Sequence, residues 1–198
     1  MVALQTATQV TPTHRSVDLE ALFKQCFYRD YKTLLIGGAD EPLYSPAKYS
    51  PATLSDEPHR LYYRADYFAS ALHEIAHWCI AGAQRRQQED WGYWYCPDGR
   101  SPAQQRAFEA VEVKPQAVEW MLSVAAAAPF RISSDNLLGM ASNSEQGGDF
   151  YQAVAAQVQC YRQSAAMPSR ASQFFFALAA FYGVGDPLAE SHYAGFKP

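Results

Sequence analysis

The chain has no apolar run long enough to cross a bilayer. Its most apolar stretch, residues 121–130, is about half the ~20 residues that a spanning helix needs. No charged segment followed by an apolar one opens the sequence, so the expected compartment is the cytoplasm, with no membrane partner. Cysteine is scarce. Cys26, Cys79, Cys96 and Cys160 are widely spaced without a C-x-x-C pair, which argues against a zinc ribbon or a disulfide framework and leads us to expect buried free thiols. An excess of basic charge is missing too: the formal net charge is −4, and no direct nucleic-acid partner is expected. There is no P-loop and no G-x-S-x-G turn, which removes the signatures of the common nucleotide and serine hydrolases.

What is present suits a folded enzyme. The 198 residues are 48% hydrophobic and 14% aromatic, enough to build one sizeable core. Residues 1–15, with Pro12 and no apolar period, read as a variable arm, and residues 16–198 as a single domain. A helix is expected from Ser16, with Val17, Leu19, Leu22, Phe23, Cys26 and Phe27 on its apolar face. Residues 33–36 read as a strand ending at Gly37-Gly38, and residues 59–63 as a second, with His59 an ordinary surface histidine. Residues 84–90 read as a solvated helix end, and residues 142–148 as a polar loop. Residues 150–163 and 169–181 have apolar positions at helical spacing. The fold class expected is α+β: several helices around a small sheet, with an ion held between two of the helices.

One stretch carries chemistry. Ala71-Leu72-His73-Glu74-Ile75-Ala76-His77-Trp78-Cys79 places H-E-x-x-H inside an apolar, helix-compatible run with Asp66 as the expected N-cap and Gly82 as a left-handed stop. Residues four apart share a helix face, so His73 and His77 can both point a ring nitrogen at one ion about 2 Å away. Glu74, roughly 100° further round, is the catalytic candidate, placed to hold or deprotonate a water.

Two histidines need a carboxylate from elsewhere, and a second helix over residues 102–128, kinked or restarted at Pro115, offers Glu109, Glu112, Gln116 and Glu119 on one side. Glu112 is the chosen third ligand and Glu109 the reserve, able instead to meet the substrate. Glu119 reads as a solvent-facing residue. Between the two helices, Trp91-Gly92-Tyr93-Trp94-Tyr95-Cys96-Pro97-Asp98-Gly99 packs aromatics ahead of a turn and can form a wall of the metal pocket.

Ala83 stands where the metzincin pattern needs a third histidine, and no histidine is followed two places on by Asp or Glu, as the usual 2-oxoglutarate oxygenase triad requires. Two chemistries remain open on the residues alone: a zinc hydrolase, peptidase or nuclease, with Glu74 as general base, and a non-haem Fe(II) centre with open positions for O2.

The blocks Phe68-Ala69-Ser70-Ala71-Leu72-His73-Glu74-Ile75-Ala76-His77-Trp78, Gly92-Tyr93-Trp94-Tyr95-Cys96-Pro97-Asp98-Gly99-Arg100 and Val111-Glu112-Val113-Lys114-Pro115-Gln116-Ala117 resemble the elongation factor P hydroxylase family. The resemblance extends over roughly residues 19–182. It implies a monooxygenase that hydroxylates the lysine of elongation factor P after a β-lysyl group has been attached. It also implies Fe(II) in a site resembling the 2-His-1-carboxylate arrangement, O2 as co-substrate and an unspecified electron donor. The implied fold is similar to that of a metal-dependent endoribonuclease family rather than a cupin. His73 and His77 match the family's histidine ligands, and Glu112 lies in a matching block, its ligand role resting on the spacing argument. Under this chemistry Glu74 orients water or delivers protons, while Tyr93, Tyr95, Asp98 and Glu109 suit the long cationic side chain of the substrate.

Overall fold

A computed structural model describes residues 13–47, 57–90, 100–133, 144–164 and 166–194, with the side chains at 144–147 left out of the description. Among the described residues the order is α1 (Ser16–Tyr31), β1 (Thr33–Ala39), β2 (Leu43–Ser45), β3 (His59–Arg64), α2 (Phe68–Ile80), α3 (Pro102–Ala125), α4 (Ser144–Gln163) and α5 (Ser169–Tyr182). Two short 3₁₀ turns lie at Arg85–Gln87 and Glu190–His192. This is an α+β fold, and no described helix is long and apolar enough to cross a membrane.

α1 buries Leu19, Leu22, Phe23 and Phe27, the helical period expected of an amphipathic packing helix. Val17, assigned to the same face, is instead 55% exposed, because it lies across the helix axis from that stripe. The helix ends at Lys32, which takes the left-handed conformation and returns its amide to the Tyr28 carbonyl.

β3 is the central strand, parallel to β1 and antiparallel to β2. Its alternate residues Leu61 and Tyr63 are buried, as is Leu35 of β1, so one sheet face joins the helical core. β1 continues past the expected stop, through Gly37. A Cβ there would lie 2.5 Å from Tyr63 Oη. The Gly37 amide and the Tyr63 hydroxyl both donate to Glu20 Oε1, at 3.0 and 2.8 Å, tying sheet to α1. His59, expected at the surface, accepts at Nδ1 from the Ala47 amide and pins the chain leaving β2.

α2 differs from expectation at both ends. Its N-cap is Tyr67 rather than Asp66, with no side-chain cap bond. At the far end Gly82 does not take a left-handed conformation. Arginine donors replace the usual glycine turn: Arg170 Nη2 of α5 donates to the carbonyls of Trp78, Cys79 and Ala81, and Arg86 Nη1 also donates to Ala81. The same two guanidinium groups lie over the rings of Trp78 and Tyr31. Residues 84–90 therefore do not extend α2.

α3 begins with a capping box, Ser101 Oγ accepting from the Gln104 amide while Gln104 Oε1 accepts from the Ser101 amide, and Pro102 fills the first turn. Pro115 does not restart the helix, which is continuous over all its length. The carbonyl denied a helical donor belongs to Val111, an exposed residue. α4 begins at Ser144, inside the segment expected to be loop. Of the thiols, Cys79 is buried, Cys26 half-buried and Cys160 exposed, so burial holds for only part of the set, and Cys96 lies outside the described residues. Residues 1–12 of the expected arm also lie outside them.

Removing the cap of α2 is testable. Arg170→Met keeps the aliphatic stem but loses three charge-assisted bonds to the helix end, and should lower unfolding stability by about 2 kcal/mol in denaturant titrations. An unchanged midpoint would show that water caps the helix equally well.

Candidate metal centre

α2 and α3 pack against one another, and the polar residues of both helices meet at their seam. His73 and His77 are one helix turn apart, with their rings 4.6 Å apart between centroids. Their Nε2 atoms face each other at 3.1 Å. Across the seam Glu112 Oε1 lies 3.3 Å from His77 Nε2, and Oε2 lies 4.0 Å from His73 Nε2. The imidazoles are 27% exposed while the Glu112 side chain is 3% exposed, so the cluster has a buried floor and an open mouth.

These residues fit a divalent ion. Ligands about 2.1 Å from one ion at angles of about 90–110° lie roughly 3.0–3.4 Å apart, the range of the two shortest separations here. Glu112 Oε2 is buried with no hydrogen-bond partner among the described residues, an expensive state for a carboxylate oxygen unless a cation faces it. His73, His77 and Glu112 could together hold a metal ion. Two imidazoles and a carboxylate form a borderline donor set suited to Zn or Fe(II).

Glu119 corrects the sequence reading. It is 8% exposed, and its Oε2 lies 2.8 Å from His73 Nδ1, the ring nitrogen turned away from the ligand cluster. Its signal in the sequence was its spacing of two helix turns from Glu112, which puts both acids on one stripe of α3. Gln116, between them and also buried, spends its amide on the backbone of Ser133, to which it both donates and from which it accepts.

Glu74 is half-buried beside the histidines and makes no hydrogen bond among the described residues. Burial raises its carboxyl above the ordinary range, against the pull of both imidazoles. Glu109 is half-buried and accepts from Gln105 Nε2 at 2.9 Å; it is not part of the ligand group. Tyr93, Tyr95 and Asp98 lie outside the described residues.

The electrostatics show how the cluster is balanced without an ion. For His73, burial favours the neutral ring, but the charge and hydrogen bond of Glu119 outweigh it and raise the imidazole to about 10. For Glu112, burial pushes the carboxyl up, and the hydrogen bond and charge of His77 carry it below its usual value. The cationic His73 can then place its Nε2 proton between the two facing nitrogens, where a bound ion would replace it.

Comparison with known proteins supplies a family. The model of the family described as "Elongation factor P hydroxylase" matches residues 22–193. The chain is similar to the elongation factor P lysine hydroxylase of Haemophilus influenzae, with 46% identity over 176 residues, covering 88% of this chain and 93% of that protein.

Metal uptake should depend on pH in a defined direction. A raised His73 contributes stability to the metal-free fold that is complete below pH of about 6.5 and lost as pH rises through about 10, whereas an ion requires the ring to be neutral at Nε2. Between those values apparent metal affinity should rise about tenfold per pH unit, widening the melting gap between metal-loaded and chelator-treated protein. A gap that narrows with rising pH in thermal scans would contradict this account.

Proposed function

The chain belongs to the elongation factor P hydroxylase family, and on that premise we propose that it hydroxylates the β-lysylated lysine of elongation factor P, as a non-haem Fe(II) monooxygenase of the cytoplasm. The observation that carries the reading is the approach of His73, His77 and Glu112 to one another at the seam of α2 and α3, with Glu112 Oε2 buried and without a hydrogen-bond partner among the described residues.

His73, His77 and Glu112 are the residues that hold the ion, and three protein ligands leave positions open for small molecules. When bound, the ion supplies O2 activation for insertion of one oxygen atom into a substrate C–H bond. The other oxygen leaves as water, which takes up two protons and two electrons from an external reductant. Glu74 handles protons: half-buried, unpaired among the described residues and raised by burial, it can hold a proton and exchange it with a water at the cluster's open side. Glu109, one turn from Glu112 on α3, supplies a negative charge for the long cationic side chain, and Tyr93, Tyr95 and Asp98 are assigned to the same task.

Incubating β-lysylated elongation factor P with iron-loaded protein, O2 and reductant should add the mass of one oxygen atom. Unmodified factor should react much more slowly. His73→Ala, His77→Ala and Glu112→Gln should remove turnover while leaving the helical circular dichroism signal in place, and Glu74→Gln should lower it by about 10²-fold or more. Unchanged substrate mass, together with zinc-dependent cleavage of peptide or RNA lost in Glu74→Gln, would instead establish the hydrolytic alternative.

A further inference from the structure

The ring of His73 has two nitrogens with different tasks. Nε2 faces His77 and Glu112, while Nδ1 is 2.8 Å from Glu119 Oε2. His77 has no equivalent: among the described residues its Nδ1 meets no carboxylate. The two ligand histidines are therefore supported unequally, and the acid that supports one of them is itself buried, at 8% exposure. Holding a carboxylate there is costly unless a specific donor meets it.

We propose that Glu119 is a positioning residue for the metal centre, accepting the Nδ1 proton of His73 and thereby fixing that ring's plane and the tautomer whose Nε2 lone pair faces the ion. The inference rests on the reading that His73, His77 and Glu112 hold a metal. A neutral imidazole free to choose would place its proton on either nitrogen, and a proton on Nε2 blocks coordination. An anionic acceptor at Nδ1 removes that choice and makes the ring a better donor to the ion. Glu112 and Glu119 thus divide the work along one stripe of α3: the first acid meets the ion directly, and the second acts through His73, two turns further on.

The test uses the full chain loaded with Co(II), whose visible absorption reports ligand geometry. Glu119→Gln keeps an oxygen acceptor but removes the charge, and should weaken Co(II) binding about tenfold. Glu119→Leu removes both and should weaken it about 100-fold with a shifted Co(II) spectrum. In the zinc-loaded protein, NMR should show a strongly deshielded His73 Nδ1 proton that Glu119→Leu abolishes. A role confined to holding α2 against α3 would lower the melting temperature but leave the affinity and spectrum of the folded protein unmoved. Binding within about twofold of wild type in both variants, with the wild-type spectrum, overturns the proposal. If Glu119→Leu does not fold, Glu119→Gln and the wild-type proton signal decide it. If folded wild type takes up no Co(II), the metal reading falls and this inference with it, an outcome distinct from normal binding by the variants.

Discussion

Four ionisable side chains share one seam between two helices, and the protein can fold around them only if their charges and lone pairs are matched. His73 and His77 come from α2, Glu112 and Glu119 from α3. Three of the contacts are close, the 2.8 Å bond from His73 to Glu119, the 3.1 Å approach of the two Nε2 atoms and the 3.3 Å approach of Glu112 to His77. One carboxylate oxygen, Glu112 Oε2, is left with no hydrogen-bond partner among the described residues. A buried polar network with one open valence is unfavourable as an end state and well suited to receiving a cation.

The remainder of the fold holds that seam in register. The C-terminal end of α2 is fastened by Arg170 from α5 and by Arg86 from the turn that follows it, and Trp78 is enclosed by Phe23, Phe27 and Tyr31 of α1. These contacts begin one residue beyond His77, so rotation of the metal helix would break aromatic packing and helix capping together. α3 is held by its capping box at one end and by the clamp of Gln116 on Ser133 near its middle. Ligand groups on helices anchored at several points keep their geometry better than groups on loops.

The open side of the cluster has a different character from its floor. Both imidazoles are about a quarter exposed, and Glu74 is half-buried beside them, so the approach is acidic as well as accessible. With a divalent ion bound by neutral histidines, Glu112 and Glu119 offset its charge, and the site turns negative, favouring a cationic visitor, whenever Glu74 gives up its proton. The proposed substrate, a lysine extended by a second amino-acid residue, has that charge and the length to reach a recessed centre.

H-E-x-x-H in an apolar run was enough to place His73 and His77 on one helix face, because four-residue spacing dictates which side chains coincide once a helix forms. The same periodicity put Glu112 on a facing stripe, and the β-favouring residues at 33–36 and 59–63 foretold β1 and β3. What periodicity cannot contain is the identity of the neighbour. Glu119 was misplaced because a helix has sides, but only packing determines which side another element covers, and α3 is covered where its acids lie; Val17 was a misreading of the period itself, two residues from Leu19 and so on the opposite side. The ends of α2 were misjudged on similar grounds, since Asp66 and Gly82 are local signals and the donors that terminate the helix come from Arg170, close to ninety residues away in the chain. Sequence alone thus determined which residues could act together along one helix. The tertiary structure decided which of them are enclosed, which nitrogen of His73 meets Glu119, and which oxygen of Glu112 is left for a cation, because desolvation and hydrogen-bond pairing arise only when separate segments meet.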